Sequence, residues 1–282
     1  MSPRAKLRAA LAGDTCIVPG SVFDAPSAIM AETLGFEAGI LAGSVASLTL
    51  LGAPDIILLT ATEFVDLARR ICRATDLPLV CDADHGYGNA LNVMRTVADL
   101  EAAGISALTI EDTSLPRPFG ATKTQLIPLD EGVGKIRAAL AARRDANLII
   151  AGRTSAMEVA GLDEAIDRIR AYEAAGADAV FLSGVKTHAQ IEAACAAVHV
   201  PIMLGGLPPD LADPAQLAKF GVRFNIIGHQ PYLAALQATH DTLKAIRQGA
   251  KPSDLANLLS EDARSLVERR SLFTKYNEEF LK

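Results

Sequence analysis

Tryptophan is absent from this chain, and aromatic residues make up only 5% of its 282 positions. A surface that stacks bases needs aromatics interleaved with lysine and arginine. Here the basic residues are scattered and outnumbered, 27 against 33 acidic, for a net charge of −6. That balance argues against nucleic acid or an anionic membrane as the main partner. Cysteine is also scarce: Cys16, Cys72, Cys81 and Cys195 form no Cys-x-x-Cys pair and have no histidine at zinc-ligand spacing. They read as small buried hydrophobes in a reducing compartment. Long apolar runs are missing as well. The uncharged stretch 38–54 is broken by Gly, Ser and Thr and falls short of a membrane span. The start, Met1–Arg8, is basic but has neither the apolar core nor the cleavage site of a leader. The expectation is a soluble, cytoplasmic protein.

What the chain does have is aliphatic bulk in short runs. Half of it is apolar, enough to bury a sizeable core without cross-links. Strand-like runs occur at 16–20, 38–42, 77–82, 107–110, 148–151, 178–182, 201–204 and 222–227, with helix-like segments between them. Asp24 with Pro26 marks one helix start, Thr60 or Thr62 another, and Gly104 and Gly176 mark helix stops. Apolar strands alternating with helices call for a parallel sheet covered on both faces. Eight units over this length predict an α/β fold, a (β/α)₈ TIM-type barrel, with a doubly wound open sheet as the alternative. No change of composition divides the chain, so residues 1–282 read as one barrel domain with 253–282 as a C-terminal helical extension. Leu255, Leu258, Leu259, Leu266, Val267, Leu272 and Phe273 in that extension need a surface to cover.

In such a barrel the C-terminal strand ends meet at one rim, where chemistry belongs. Those ends read Asp24, Ser44, Asp82 and Asp84, Glu111 and Asp112, Arg153, and His229. Asp82 and Asp84 share a face if both stay extended. With Glu111 they make an all-oxygen donor set that selects Mg²⁺, or Mn²⁺, over zinc. Since Mg²⁺ keeps several waters, one carboxylate is expected to bind directly and the others through water. Arg153 offers a planar fork for a substrate carboxylate; its structural alternative is a salt bridge to Glu111 or a loop acid. His229 closes the eighth strand, and His85 sits inside the carboxylate loop. The Gly86-Tyr87-Gly88 turn lacks the spacing of a phosphate cradle.

These residues resemble the isocitrate lyase/phosphoenolpyruvate mutase superfamily, over nearly the whole chain. The likeness is carried by Ser21-Val22-Phe23-Asp24-Ala25, Gly43-Ser44, Asp82-Ala83-Asp84-His85-Gly86-Tyr87-Gly88-Asn89, Ala107–Asp112, Glu131 to Ala139, and Arg153-Thr154. Members make or break C–C or P–C bonds next to a 2-oxo acid or its enolate, with Mg²⁺ at the aspartate segment. Lyases of the group that use a cysteine carry Lys-Lys-Cys-Gly-His after the fourth strand. Here that place reads Arg117-Pro118-Phe119-Gly120-Ala121. Gly43–Leu48, Asp84–Val97 and Gly228-His229 look like the oxaloacetate decarboxylase branch. By that resemblance Asp82 is the direct metal ligand, Ser44, Arg153 and His229 contact substrate, and Arg153 and His229 act in catalysis. It also implies a homodimer or homotetramer with exchanged C-terminal helices. The implied activity is Mg²⁺-dependent decarboxylation of oxaloacetate to pyruvate and CO₂. One departure, Gly205-Gly206-Leu207-Pro208-Pro209 in place of a Tyr-bearing loop after the seventh strand, keeps a C–C lyase acting on a substituted malate as an alternative. A third reading, from another class, is a barrel that binds metal and carboxylates without turnover.

Overall fold

The computed structural model describes all of residues 1–282. The chain divides into two compact units, Met1–Gly228 and His229–Lys282. The first opens with α1 (Pro3–Leu11) and then alternates: β1 (Gly20–Ser21), α2 (Ala25–Thr33), β2 (Gly39–Leu41), α3 (Gly43–Leu51), α4 (Ala61–Ala74), β3 (Leu79–Asp82) and α5 (Ala90–Ala103). It continues with β4 (Ala107–Glu111), α6 (Leu129–Ala142), β5 (Ile149–Thr154), α7 (Ala156–Val159), α8 (Leu162–Ala174) and β6 (Ala179–Ser183). Then come α9 (His188–Ala197), β7 (Ile202–Gly205), α10 (Pro214–Phe220) and β8 (Val222–Ile226). All eight strands are parallel and lie side by side in chain order.

The sheet closes through a residue ahead of β1. Ile17 bridges Phe224 in parallel, its N–H donating to the Arg223 carbonyl and its carbonyl accepting from Asn225 N–H, both at 2.9 Å. The fold is therefore the expected (β/α)₈ TIM-type barrel. The first strand is split between two neighbours: Ile17 serves β8, and only Gly20–Ser21 pairs with β2.

Strand parity sorts the side chains into two cores. Leu79 and Cys81, Leu108 and Ile110, Ile150, Val180 and Leu182 belong to the layer between strands and helices. Their alternates, Ile40, Val80, Ala107, Ile149, Ala151, Ala179, Phe181, Met203 and Phe224, fill the barrel interior. Leu7 and Leu11 of α1 join that interior cluster, and so plug one end. In the outer layer Tyr172 of α8 is 1% exposed and lies against Gly152, where an added Cβ would come within 2.7 Å of its ring. Only glycine in β5 lets α8 approach this closely.

Local signals hold at most helix ends. Asp24 caps α2, Thr60 caps α4 and Asn89 caps α5, each with a reciprocal capping box. Gly104 ends α5 in a left-handed turn at φ 104°. The helix the sequence did not announce is α3, Gly-Ser-Val-Ala-Ser-Leu-Thr-Leu-Leu. It has no charged face, so no 3.6-residue contrast reveals it.

The second unit comprises α11 (Gln230–Arg247), a 3₁₀ turn at Pro252–Asp254, α12 (Glu261–Val267) and α13 (Arg270–Phe280). Leu233, Leu243, Leu258, Phe273 and Phe280 are exposed on it. No helix is long and apolar enough to cross a membrane.

Candidate active site

The same alternation that fills the barrel interior with aliphatics ends, two residues on, in charge. Val80 is followed on its face by Asp82, Ala107 by Thr109 and Glu111, and Ala151 by Arg153. Strand register then brings these neighbours together: Asp82 pairs with Thr109, and Glu111 with Arg153. Arg153 Nη1 donates to Asp82 Oδ2, while Arg153 Nε lies 3.1 Å from Glu111 Oε2 as an ion pair whose N–H is not aimed along a hydrogen-bond line. Thr109 Oγ1 donates to Asp82 Oδ1 at 3.0 Å. Phe181 supports the guanidinium, its ring centroid 5.3 Å from Arg153 Cζ.

Asp84 joins the cluster by a different route from the one expected. β3 stops at Asp82, and Asp84 turns into the left-handed region at φ 47°, which aspartate tolerates better than most residues. Its N–H reaches Asp82 Oδ1 at 3.3 Å and its carbonyl accepts from Glu111 N–H at 2.8 Å. Its carboxylate lies over Gly43, where an added Cβ would sit 2.9 Å from Oδ1. Asp84 thus meets the first turn of α3, which carries Ser44 and whose N-cap, Ala42, offers no side-chain acceptor. The loop continues left-handed through Gly86 and Tyr87, and Lys135 of α6 pins it, Nζ donating to the His85 carbonyl at 3.0 Å.

The charges do not balance. Burial, then the charges of Asp82, Asp55 and Glu111, hold Asp84 well above the usual carboxylate range. Burial raises Glu111 to about 7 against the pull of Arg153, with Asp82 adding to the rise. Asp55, just after α3, is raised by burial and by Asp82. Burial alone would lower Arg153, but Asp82 and Glu111 outweigh it and hold its charge firmly. Four carboxyls face one guanidinium.

The remaining candidates fall elsewhere. Asp24 is spent on capping α2 through Ser27 N–H at 2.8 Å. His85 is 5% exposed and held neutral, its pKa lowered to about 4 by burial and then by Lys135. His229 stands at the N-cap of α11 and opens the second unit. Phe119 is fully exposed in the loop between β4 and α6. Asp55, Thr109 and Lys135 were not among the expected site residues. Thr109 was within reach, being two positions before Glu111 on the same strand face; the packing of Asp55 and Lys135 leaves no such mark.

A closed parallel barrel whose strand ends gather carboxylates around an arginine defines a class of site for small anionic substrates. The phosphoenolpyruvate phosphomutase family model matches residues 7–247, and the chain belongs to that family. An oxaloacetate decarboxylase of Bradyrhizobium diazoefficiens is 55% identical over 270 residues, covering 96% of this chain and 94% of its own. A phosphonopyruvate hydrolase solved with oxalate and Mg²⁺ superimposes with a TM-score of 0.89 at 30% identity over all of both chains. An oxaloacetate acetylhydrolase solved with 3,3-difluorooxalacetate gives 0.87 at 27% identity, covering 99% and 97%.

A divalent metal fits the residues present. The oxygen donors suit a hard cation, and the mutual repulsion of Asp84, Asp82 and Glu111 is a charge surplus such a cation would relieve. No three acidic, histidine or cysteine side chains converge into a ready cage, and Mg²⁺, which retains water and binds through one or two carboxylates, does not require one.

Adjacent acids Glu111 and Asp112 part company by parity. Asp112 points to the outer layer, where Arg168 Nη1 and Tyr172 OH donate to its Oδ2 at 3.0 and 2.6 Å. It is 1% exposed, so its place on the rim, read from the sequence, is corrected: it is structural. Asp112→Asn should cost about 2 kcal/mol by weakening the buried charge-assisted hydrogen bonds from Arg168 and Tyr172, Arg168 keeping Glu164 at 2.7 Å as its other acid, measured by urea unfolding. A stability within 0.5 kcal/mol of wild type, on the order of a neutral surface change, would count against this role.

Proposed function

We propose that this protein is a Mg²⁺-dependent oxaloacetate decarboxylase, a carboxy-lyase that releases CO₂ from a four-carbon 2-oxo diacid and leaves pyruvate. The observation that carries this reading is the 55% identity, over 96% of the chain, to a decarboxylase of that name. The barrel rim supports it with an anion-binding arginine, a hard-cation donor set and an uncapped helix start on one face.

Asp82 would hold Mg²⁺ (Mn²⁺ as substitute) directly, with Asp84 and Glu111 acting through water. Bound there, the metal supplies Lewis-acid polarisation of a 2-oxo acid. Arg153, kept charged by its two acids and placed over the Phe181 ring, binds the substrate carboxylate. Ser44 and the first-turn amides of α3 donate to the oxygen that gains charge as the C3–C4 bond breaks. C4 leaves as CO₂ and C3 takes a proton. His229, carried into the proposal from its place just after the last strand, orients the departing carboxylate or delivers that proton.

A second reading, cleavage of a substituted malate, is favoured by one observation. Residues 205–209, at the end of β7, carry no side-chain hydrogen-bond donor, which suits a substrate with an alkyl-substituted far end. Turnover across oxaloacetate, substituted malates and isocitrate with Mg²⁺ separates the two.

We also infer a homodimer or homotetramer in which 253–282 is exchanged between copies, supported by the apolar side chains exposed on the second unit. The four free thiols suit a cytoplasmic setting.

Three outcomes are expected. Asp82→Ala abolishes Mg²⁺-dependent oxaloacetate turnover, and a variant retaining wild-type rates without metal would defeat the metal assignment. His229→Gln lowers kcat by roughly 10²-fold or more, the scale of a lost general acid, with little change in the Mg²⁺ concentration for half-activity; an unchanged kcat removes His229 from the mechanism. Sedimentation velocity returns a dimer or tetramer mass, whereas a monomer rules out the exchange.

A further inference from the structure

The end of the barrel opposite the acid cluster holds a cavity of about 470 Å³, within the range of small-ligand sites. Its walls come from the beginnings of strands and the ends of helices: Ile149 opens β5, Asp178 precedes β6, Arg223 is the second residue of β8, Arg8 lies in the last turn of α1 and Ala12 caps it. His199 stands at its edge.

The cavity is cationic, and its one carboxylate is already used on both oxygens. Asp178 Oδ1 accepts from Arg8 Nη2 at 3.0 Å, and Oδ2 from Arg143 Nη1 at 2.5 Å and Ile150 N–H at 2.9 Å. Two guanidinium groups therefore answer one acid. Arg223 adds a third positive charge with no acidic partner, since its Nη1 donates only to the backbone carbonyls of Ala218 and Val222 at 3.0 and 3.1 Å.

We propose that this cavity is a second, separate ligand site for a small oxyanion, a carboxylate or phosphate group held between Arg8 and Arg223. Its charge surplus and saturated acid both favour the same ligand chemistry. The site owes nothing to the rim: none of Ser44, Asp82, Asp84, Glu111 or Arg153 lines it.

The test is calorimetric titration of the full-length protein with inorganic phosphate and, separately, succinate. Arg8 is left alone because it also ties α1 to Asp178 and the Leu148 carbonyl. Ala12→Glu places a repelling carboxylate at an exposed position in the cavity wall, at the end of α1 and outside the core. Arg223→Gln removes the unpaired charge. Wild type should bind at least one of the two anions, and each variant that keeps the wild-type melting temperature should weaken that binding at least tenfold. Binding of phosphate alone or succinate alone identifies the group the cavity takes. The proposal is overturned if wild type binds neither anion, or if folded Ala12→Glu binds as tightly as wild type, because any binding then lies elsewhere.

Discussion

Arg153 is the constraint on which the rim depends. It projects from β5 between Asp82 of β3 and Glu111 of β4, with Phe181 of β6 against its plane. Its side chain is 23% exposed and that of Glu111 8%, so most of the hydration of these ions is lost. Buried ion groups of this kind return little net stability, because desolvation offsets the Coulombic gain. What the arrangement provides is position. Four consecutive strands are tied together at their ends, and any ligand entering meets a fixed guanidinium. The surplus of carboxyls that Arg153 cannot neutralise suits a cation, so the geometry that offers an anion a guanidinium also offers a metal its oxygen donors.

How much of this was legible depends on what pattern each element leaves behind. The strands were legible because their apolar runs are short and separated by helix stops such as Gly104. Asp82, Glu111 and Arg153 were legible because a charge at the end of such a run is conspicuous, and parity carries each from the aliphatic interior to the rim. Asp112 was misplaced by the same observation read without parity, since adjacent residues of a strand face opposite ways. Asp84 was placed near Asp82 on the assumption of an extended chain. The structure reaches that proximity through a left-handed turn, which spacing alone does not signal. α3 left no periodic trace, being apolar with small polar residues all round. Yet it supplies the amides and the Gly43 gap that Asp84 fills.

The two ends of the barrel carry opposite charge for a reason rooted in its topology. Each helix runs back against the strand before it, so helix starts collect at the rim and helix ends at the floor. Partial positive charge at the starts favours acids there, and partial negative charge at the ends favours arginines. The chain follows this polarity: Asp130, Glu131, Asp163 and Glu164 occupy first turns. Arg8 lies in the last turn of α1, Arg143 is the C-cap of α6, and Arg223 donates to a carbonyl in the last turns of α10. The rim's acids exceed what the helix starts and one arginine can offset, and in the floor cavity the arginines exceed the one acid that lines it. Each end thus carries an unspent charge, of opposite sign.

The residues that surround the reacting atoms also bear on which bond breaks. Cleaving a 2-hydroxy acid into two acids leaves a carbanion that must be protonated by a group held close to it, the work done by the thiol loop in the lyases this chain resembles. Here that loop presents Phe119, fully exposed and without a proton to give. Loss of CO₂ from a 2-oxo diacid makes a smaller demand. The departing group takes no proton, and the electrons left behind are delocalised into the adjacent carbonyl, whose oxygen needs fixed donors. In the proposed reaction those donors would be the charged guanidinium of Arg153, the Ser44 hydroxyl and the uncapped start of α3. The proposed site, rich in electrostatic stabilisation and with Phe119 where a thiol would stand, therefore suits decarboxylation better than thiol-dependent cleavage.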